Sequence, residues 1–76
     1  MTHFDAEERV YKELEWAITN YPKMTSFHEG YAIILEELEE LWDEIKKKPS
    51  ERSEEHIRKE AVQVAAMAER FLVDLC

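Results

Sequence analysis

Apolar residues recur along this chain at intervals of three and four, the spacing that places side chains on one face of an α-helix. In the first segment, from about Asp5 to about Asn20, the repeating positions are Val10, Leu14, Ala17 and Tyr21. Tyr21 precedes a proline, and a residue before proline is disfavoured in the helical region. We therefore predict a first helix that ends near Asn20.

The second segment combines a helix start signal with a longer apolar stripe. Ser26 followed by Glu29 is typical of a capping box, in which the serine oxygen accepts from a backbone N–H and the glutamate accepts from the serine N–H. The helix is predicted to reach the lysines at 46–48 and to end before Pro49. Its stripe comprises Tyr31, Ile34, Leu38, Leu41 and Ile45, widened by Leu35 and Trp42.

The third segment begins between Ser50 and Ser53 and continues to near residue 76. Its stripe comprises Ile57, Ala61, Val64, Ala68, Phe71 and Leu75, and four alanines (Ala61, Ala65, Ala66 and Ala68) would let a neighbouring helix approach closely. We predict a single all-α domain over residues 1–76, in which helices two and three form an antiparallel hairpin. Helix one is expected on the outside or over the end.

Composition adds a reason to expect more than one copy. A 76-residue chain makes a small core, so a monomer would be marginally stable and two hairpins would form a four-helix-bundle core in a homodimer or tetramer. The formal net charge of −8 argues against binding nucleic acid polymers or an anionic membrane surface. The N-terminal residues do not resemble a secretory signal, and the lone Cys76 suits a reducing compartment, so a cytoplasmic location is expected.

The chemistry suggested by the sequence begins with Glu37 and Glu40. They are three residues apart on one flank of helix two, so their carboxylates can converge. Two such carboxylates repel each other unless a positive charge lies between them, and Mg²⁺ is a cation that prefers oxygen ligands. A solvated charged face is the alternative interpretation.

Glu60 strengthens the case for a site. It lies only about 40° from Val64 at the centre of the third stripe, and a carboxylate on a buried face needs a partner. The partner is Arg58 or Lys59 of another chain, His56 one turn back, or a shared metal. In the metal hypothesis Glu60 and Gln63 face the two glutamates of helix two across the hairpin.

The stretches HEGYAIILEELEELWDEI and EAVQVAAMAERF resemble the MazG-like all-α nucleoside triphosphate pyrophosphohydrolases. That family carries E-x-x-E on one helix and E-x-x-D on the next. Here Glu37 to Glu40 matches the first motif, and Glu60 to Gln63 matches the second except that glutamine replaces the aspartate. A glutamine carbonyl can ligate magnesium, but it supplies no charge and cannot act as a carboxylate base.

The resemblance implies Mg²⁺-dependent hydrolysis of a nucleoside triphosphate to the monophosphate and pyrophosphate. It implies catalytic roles for Glu37, Glu40 and Glu60, with Gln63 as a fourth metal ligand. Trp16, opposite the first stripe, is a candidate to stack on the base, and Lys23 and Arg58 are candidates to touch phosphate. The alternative role of Trp16 is packing, and that of Lys23 and Arg58 is surface solubility. The alternative function is a helical oligomeric interaction module that has lost turnover, with Gln63 as the mark of that loss.

Overall fold

The computed structural model describes all 76 residues and contains three α-helices and no strand. Helix α1 spans His3–Asn20, α2 spans Phe27–Ile45 and α3 spans Glu54–Leu75. A short 3₁₀ turn at Pro49–Glu51 lies in the connection between α2 and α3. The predicted all-α, three-helix architecture is confirmed. None of the helices combines the length and hydropathy needed to cross a membrane.

Side-chain caps set where α1 and α3 begin. Thr2 Oγ1 accepts from the Asp5 N–H at 3.1 Å, and the Asp5 carboxylate accepts from the Thr2 N–H at 3.2 Å, which completes a capping box. Helix α1 therefore begins at His3, two residues before the predicted start. Ser53 caps α3 in a similar way, since its Oγ accepts from the His56 N–H at 3.2 Å.

The capping box predicted for α2 is only half formed. Ser26 Oγ accepts from the Glu29 N–H at 3.0 Å, as expected. The Glu29 carboxylate does not bond the Ser26 N–H, and that part of the prediction is wrong. It accepts instead from the backbone N–H and the hydroxyl of Thr25, each at 3.0 Å, so each carboxylate oxygen has its own donor on the residue before the cap.

Helix α3 is the central element of the fold. It packs against both other helices, whereas α1 and α2 do not pack against each other, so α1 lies outside the α2–α3 hairpin. The two helices of the hairpin approach closely at Gly30, where a Cβ atom would lie 2.5 Å from Phe71 Cδ2. Of the four alanines predicted to permit close approach, Ala66 is fully buried, while Ala61, Ala65 and Ala68 are exposed.

A buried arginine joins α1 to α3. Arg70 is 4% exposed, and its Nε donates to Asp74 Oδ2 at 2.9 Å. The rest of the guanidinium donates to three carbonyls at 2.7–2.9 Å, those of Ala17, Tyr21 and Pro22. Asp74 also accepts from the Met24 N–H at 2.9 Å. This set of bonds, the Arg70 network, fixes the end of α1 and the following loop to α3.

Much of the predicted α2 stripe does not face α3. Tyr31, Leu38 and Trp42 are 65%, 48% and 58% exposed, and Leu72 of α3 is 62% exposed on the same side of the hairpin. A shallow groove on this side has an entirely apolar lining drawn from both helices: Phe27, Tyr31, Ile34, Ala68, Phe71 and Leu72. We call this surface, together with Leu35, Leu38 and Trp42, the open face.

Candidate metal centre

Three carboxylates predicted from the motifs come together between α2 and α3. Glu37 and Glu40 extend from successive turns of α2, and Glu60 meets them from α3. One oxygen of each lies within 4.8 Å of one oxygen of the other two. Glu37 and Glu60 are half-buried and Glu40 is exposed. Since these residues belong to two helices, the hairpin itself creates the cluster.

Gln63 completes the group. One end of its amide lies 2.9 Å from Glu37 Oε2 and 3.0 Å from Glu60 Oε2. With the nitrogen at this end, Gln63 donates a hydrogen bond to each carboxylate. With the oxygen at this end, the Gln63 carbonyl and the three carboxylates converge, and no hydrogen-bond donor lies among them. The second arrangement is a ligand set that suits a hard divalent cation, because Mg²⁺ and Ca²⁺ favour oxygen ligands. We call these four residues the carboxylate cluster.

The electrostatics of the carboxylate cluster are unfavourable without a cation. Burial and, after it, the neighbouring carboxylates Glu40, Glu60 and Glu36 together raise the pKa of Glu37 from its ordinary 4.5 to about 7. Burial and the Glu40 carboxylate also raise the pKa of Glu60, although Lys59 partly opposes them. Each shift means that the negative form is disfavoured in the folded protein.

Two basic side chains near the end of α2 pair with an acid outside the carboxylate cluster. Lys47 Nζ lies 2.7 Å from Glu44, and His56 Nδ1 lies 3.2 Å from the same carboxylate. The hydrogen bond from Lys47 is the main cause of the lowered pKa of Glu44. His56 therefore pairs with Glu44, and the suggestion that it pairs with Glu60 one turn away is wrong. The His56 ring reaches across the hairpin to α2 instead of along its own helix.

The three predicted substrate-binding residues lie on other surfaces. Trp16 is 50% exposed on α1 and contacts Tyr21 edge-to-face, with ring centroids 5.4 Å apart. Arg58 forms ion pairs with Glu54 and Glu55 on its own helix, and Lys23 is exposed in the loop after α1. No hydrogen bond or ion pair within the chain links any of these three to the carboxylate cluster. Their roles in binding substrate stay predictions.

A cleft of about 550 Å³ adjoins the carboxylate cluster, and the sequence did not reveal it. It lies between the loop after α1, the first half of α2 and the middle of α3, and we call it the Glu37 cleft. Its lining consists of Tyr21, Pro22, Met24, Glu29, Ile33, Glu36, Glu37, Met67 and Arg70. A partial signal was present, since Ile33 is an apolar residue off the α2 stripe on the flank that carries Glu37.

No family model, curated protein or solved structure matches this chain. The resemblance to the MazG-like hydrolases therefore stays a prediction, carried by the motif residues and by the positions those residues occupy in the fold.

Proposed function

We propose that this protein hydrolyses nucleoside triphosphates to the monophosphate and pyrophosphate in a Mg²⁺-dependent reaction. The observation that carries the proposal is the convergence of Glu37, Glu40 and Glu60 from two helices. Like charges at this separation are costly to fold around, and a bound cation would remove that cost. The same three residues occupy the motif positions by which the sequence resembles the pyrophosphohydrolases.

Each member of the carboxylate cluster has a role that follows from its chemistry. The three glutamates and the Gln63 carbonyl would hold Mg²⁺, which would neutralise phosphate charge and make a water more acidic. In the net reaction a water oxygen bonds the α-phosphorus, and the bond from that phosphorus to the oxygen bridging to the β-phosphate breaks. Gln63 has no basic oxygen, so only a carboxylate of the cluster can accept the proton that the water loses.

The test measures pyrophosphate release from a panel of nucleoside triphosphates, with Mg²⁺ and with excess chelator. We expect release that requires Mg²⁺ and is lost in Glu40→Gln and in Glu60→Gln. Glu39→Gln is the matched control, because it removes the same charge from an exposed position of α2 outside the cluster. A second readout is the Mg²⁺-induced rise in melting temperature. The absence of both effects in the wild-type protein would refute the proposal.

We propose further that a second copy of this chain covers the open face. Tyr31, Leu35, Leu38 and Trp42 repeat at intervals of four, three and four, which is the pattern of a helix packing seam. Large contiguous apolar surfaces are uncommon on monomers. The open face carries no charged residue that would require a complementary partner, and a two-fold pair of hairpins would bury it against itself. This arrangement would give the predicted four-helix core.

Analytical ultracentrifugation tests the second copy. We expect the wild-type chain to sediment as a dimer or tetramer and Leu38→Glu to sediment as a monomer, because the new charge would be buried at the seam. Ile18→Glu is the control, since Ile18 is 47% exposed on α1, away from the open face. A wild-type monomer at micromolar concentration, or a Leu38→Glu variant that still associates, would contradict this proposal.

One observation favours the alternative of an interaction module without turnover. Gln63 is neutral where the family motif has a carboxylate, and its amide can satisfy Glu37 and Glu60 as a hydrogen-bond donor without a metal. This alternative expects an oligomer that neither releases pyrophosphate nor responds to Mg²⁺. The two experiments above separate it from the hydrolase.

A further inference from the structure

We infer that the Glu37 cleft binds the nucleobase of the substrate and favours bases with an exocyclic amino group. This inference rests on the proposed function and names the substrate class of the same site. It is carried by the position of the cleft, its apolar walls, its charge and its excess of hydrogen-bond acceptors.

The position of the cleft fits a ligand that also reaches the carboxylate cluster. Glu37 belongs to both, so a molecule whose phosphates lie at the cluster can extend directly into the cleft. The cleft volume of about 550 Å³ is within the range of small-molecule binding sites, about 300–1,000 Å³. It is also more enclosed than the shallow depressions along α1.

The walls suit a flat, largely apolar group. Met24 is 3% exposed in the loop after α1, Ile33 is half-buried on α2, and Met67 is half-buried on α3. The two thioethers can adapt to the faces and edges of an aromatic ring, and sulfur–aromatic contacts are favourable. Three separate segments therefore supply apolar surface to one cavity.

The charge of the cleft excludes phosphate. Glu29, Glu36 and Glu37 line it, and the only cation in the lining is Arg70. The Arg70 guanidinium is already bonded to Asp74 and to three backbone carbonyls, so its charge is largely committed. The cleft is thus suited to the uncharged end of a nucleotide, while the phosphates remain at the carboxylate cluster.

The hydrogen-bonding groups of the cleft specify the kind of base. Glu36 presents carboxylate oxygens that accept hydrogen bonds, and each Glu29 oxygen, although it accepts one bond from Thr25, keeps a further lone pair. An exocyclic amino group donates two hydrogen bonds. Uracil and thymine offer one ring N–H between two carbonyl oxygens. A carboxylate repels these oxygens, because both groups are acceptors. Adenine, guanine and cytosine each carry an amino group and avoid that repulsion on at least one edge.

The test measures binding of uncharged nucleosides in the presence of chelator, so that neither bound metal nor hydrolysis contributes to the result. The chain has three methionines, of which Met24 and Met67 line the cleft and Met1 lies beside another depression on α1. In a protein labelled at the methionine methyl carbons, millimolar cytidine should shift the NMR signals of Met24 and Met67 and leave Met1 unchanged. Uridine, which differs by a carbonyl in place of the amino group, should bind roughly tenfold more weakly. Adenosine and inosine form a second matched pair.

Variants of the cleft test which residue causes the preference for bases with an amino group. Glu36→Gln replaces one acceptor-only group with an amide, so the ratio of cytidine to uridine affinity should fall several-fold, whereas Glu39→Gln should keep the wild-type ratio. Equal binding of the amino and carbonyl members of both pairs, or no methionine shift with any nucleoside, would overturn the inference. Neither result would affect pyrophosphate release, and a hydrolase that releases pyrophosphate with no base preference would refute only this inference.

Discussion

Two of the polar groups that join helices differ in the sign of their charges and in how far their hydrogen bonds and charges are paired within the chain. The Arg70 network joins α1 to α3 with opposite charges and hydrogen bonds to every group it buries. The carboxylate cluster joins α2 to α3 with three like charges and one neutral amide. The first arrangement is complete within the chain, whereas the second leaves like charges unpaired, a cost that a proton or a cation would remove.

The pKa values of the two groups show the same contrast. Burial would raise the pKa of Asp74, but the hydrogen bonds from the Met24 N–H and from Arg70 outweigh it and the pKa is lowered. Burial raises the pKa of Glu37, and the surrounding carboxylates raise it further. Burial thus disfavours the negative form at both sites, and only at Asp74 do hydrogen bonds and a cation from the same chain outweigh it. A buried polar group indicates function mainly where its own chain leaves it without compensation.

Arg70→Met should give the largest effect on stability. The substitution leaves Asp74 buried without its cation and leaves three carbonyls without a donor, so we expect a loss of about 3–5 kcal/mol. Chemical denaturation followed by circular dichroism measures it. Arg58→Met is the control, because Arg58 forms only exposed ion pairs, and such pairs contribute little. Equal losses in the two variants would contradict the distinction between the two arginines.

Gln63→Asp tests the carboxylate cluster by adding a fourth negative charge to it. A fourth carboxylate increases repulsion in the cluster and increases attraction for a divalent cation, so Mg²⁺ affinity should rise roughly tenfold, or about 1.4 kcal/mol. Isothermal titration calorimetry with MgCl₂ measures the change, and Gln63→Asn controls for the shorter side chain. An affinity equal to that of the wild type would remove Gln63 from the proposed site.

The pH dependence of stability should show a smaller effect. The pKa of Glu37 is higher in the folded protein, at about 7, than its ordinary 4.5, so protonation favours folding and stability is lost as pH rises from about 5 to 8. After allowance for solvent screening, the loss without metal should be about 1 kcal/mol. Glu37→Gln should flatten this pH dependence, and Glu39→Gln should preserve it. Denaturation midpoints in chelator at several pH values provide the measurement.

Magnesium should oppose that pH dependence. Mg²⁺ and the proton compete for the same carboxylates, so the stabilisation by MgCl₂ should grow as pH rises through about 7. The same denaturation series with MgCl₂ tests this. A Mg²⁺ effect that is equal at pH 5 and pH 8 would separate cation binding from the ionisation of Glu37.

The sequence predicted those features that depend on local periodicity. The three helices follow from repeats of three and four, and the meeting of Glu37, Glu40 and Glu60 follows from combining two such patterns with a hairpin. The end of α1 was predicted from the Tyr21–Pro22 step. Its start was missed because Thr2 and Asp5 form a capping box in which aspartate replaces the more usual glutamate.

Features that depend on contacts between distant residues were not predicted. Arg70 and Asp74 gave no signal in the sequence, because their partners are backbone carbonyls and an N–H about 50 residues away. The bonds from Thr25 to Glu29 depend on the conformation of the loop before α2, which periodicity does not give. The Glu37 cleft required three segments to be placed together, and periodicity in one segment contains no such information.

The central position of α3 has a consequence for the order of folding. Neither α1 nor α2 has a partner until α3 is present, because the first two helices do not pack against each other. During synthesis α3 follows both, so their apolar surfaces stay unprotected until the last of the three helices has been made. Folding therefore occurs late, and both interhelical contacts form on the same newly made segment. A ribosome-bound chain that stops before Glu54 should remain sensitive to proteolysis.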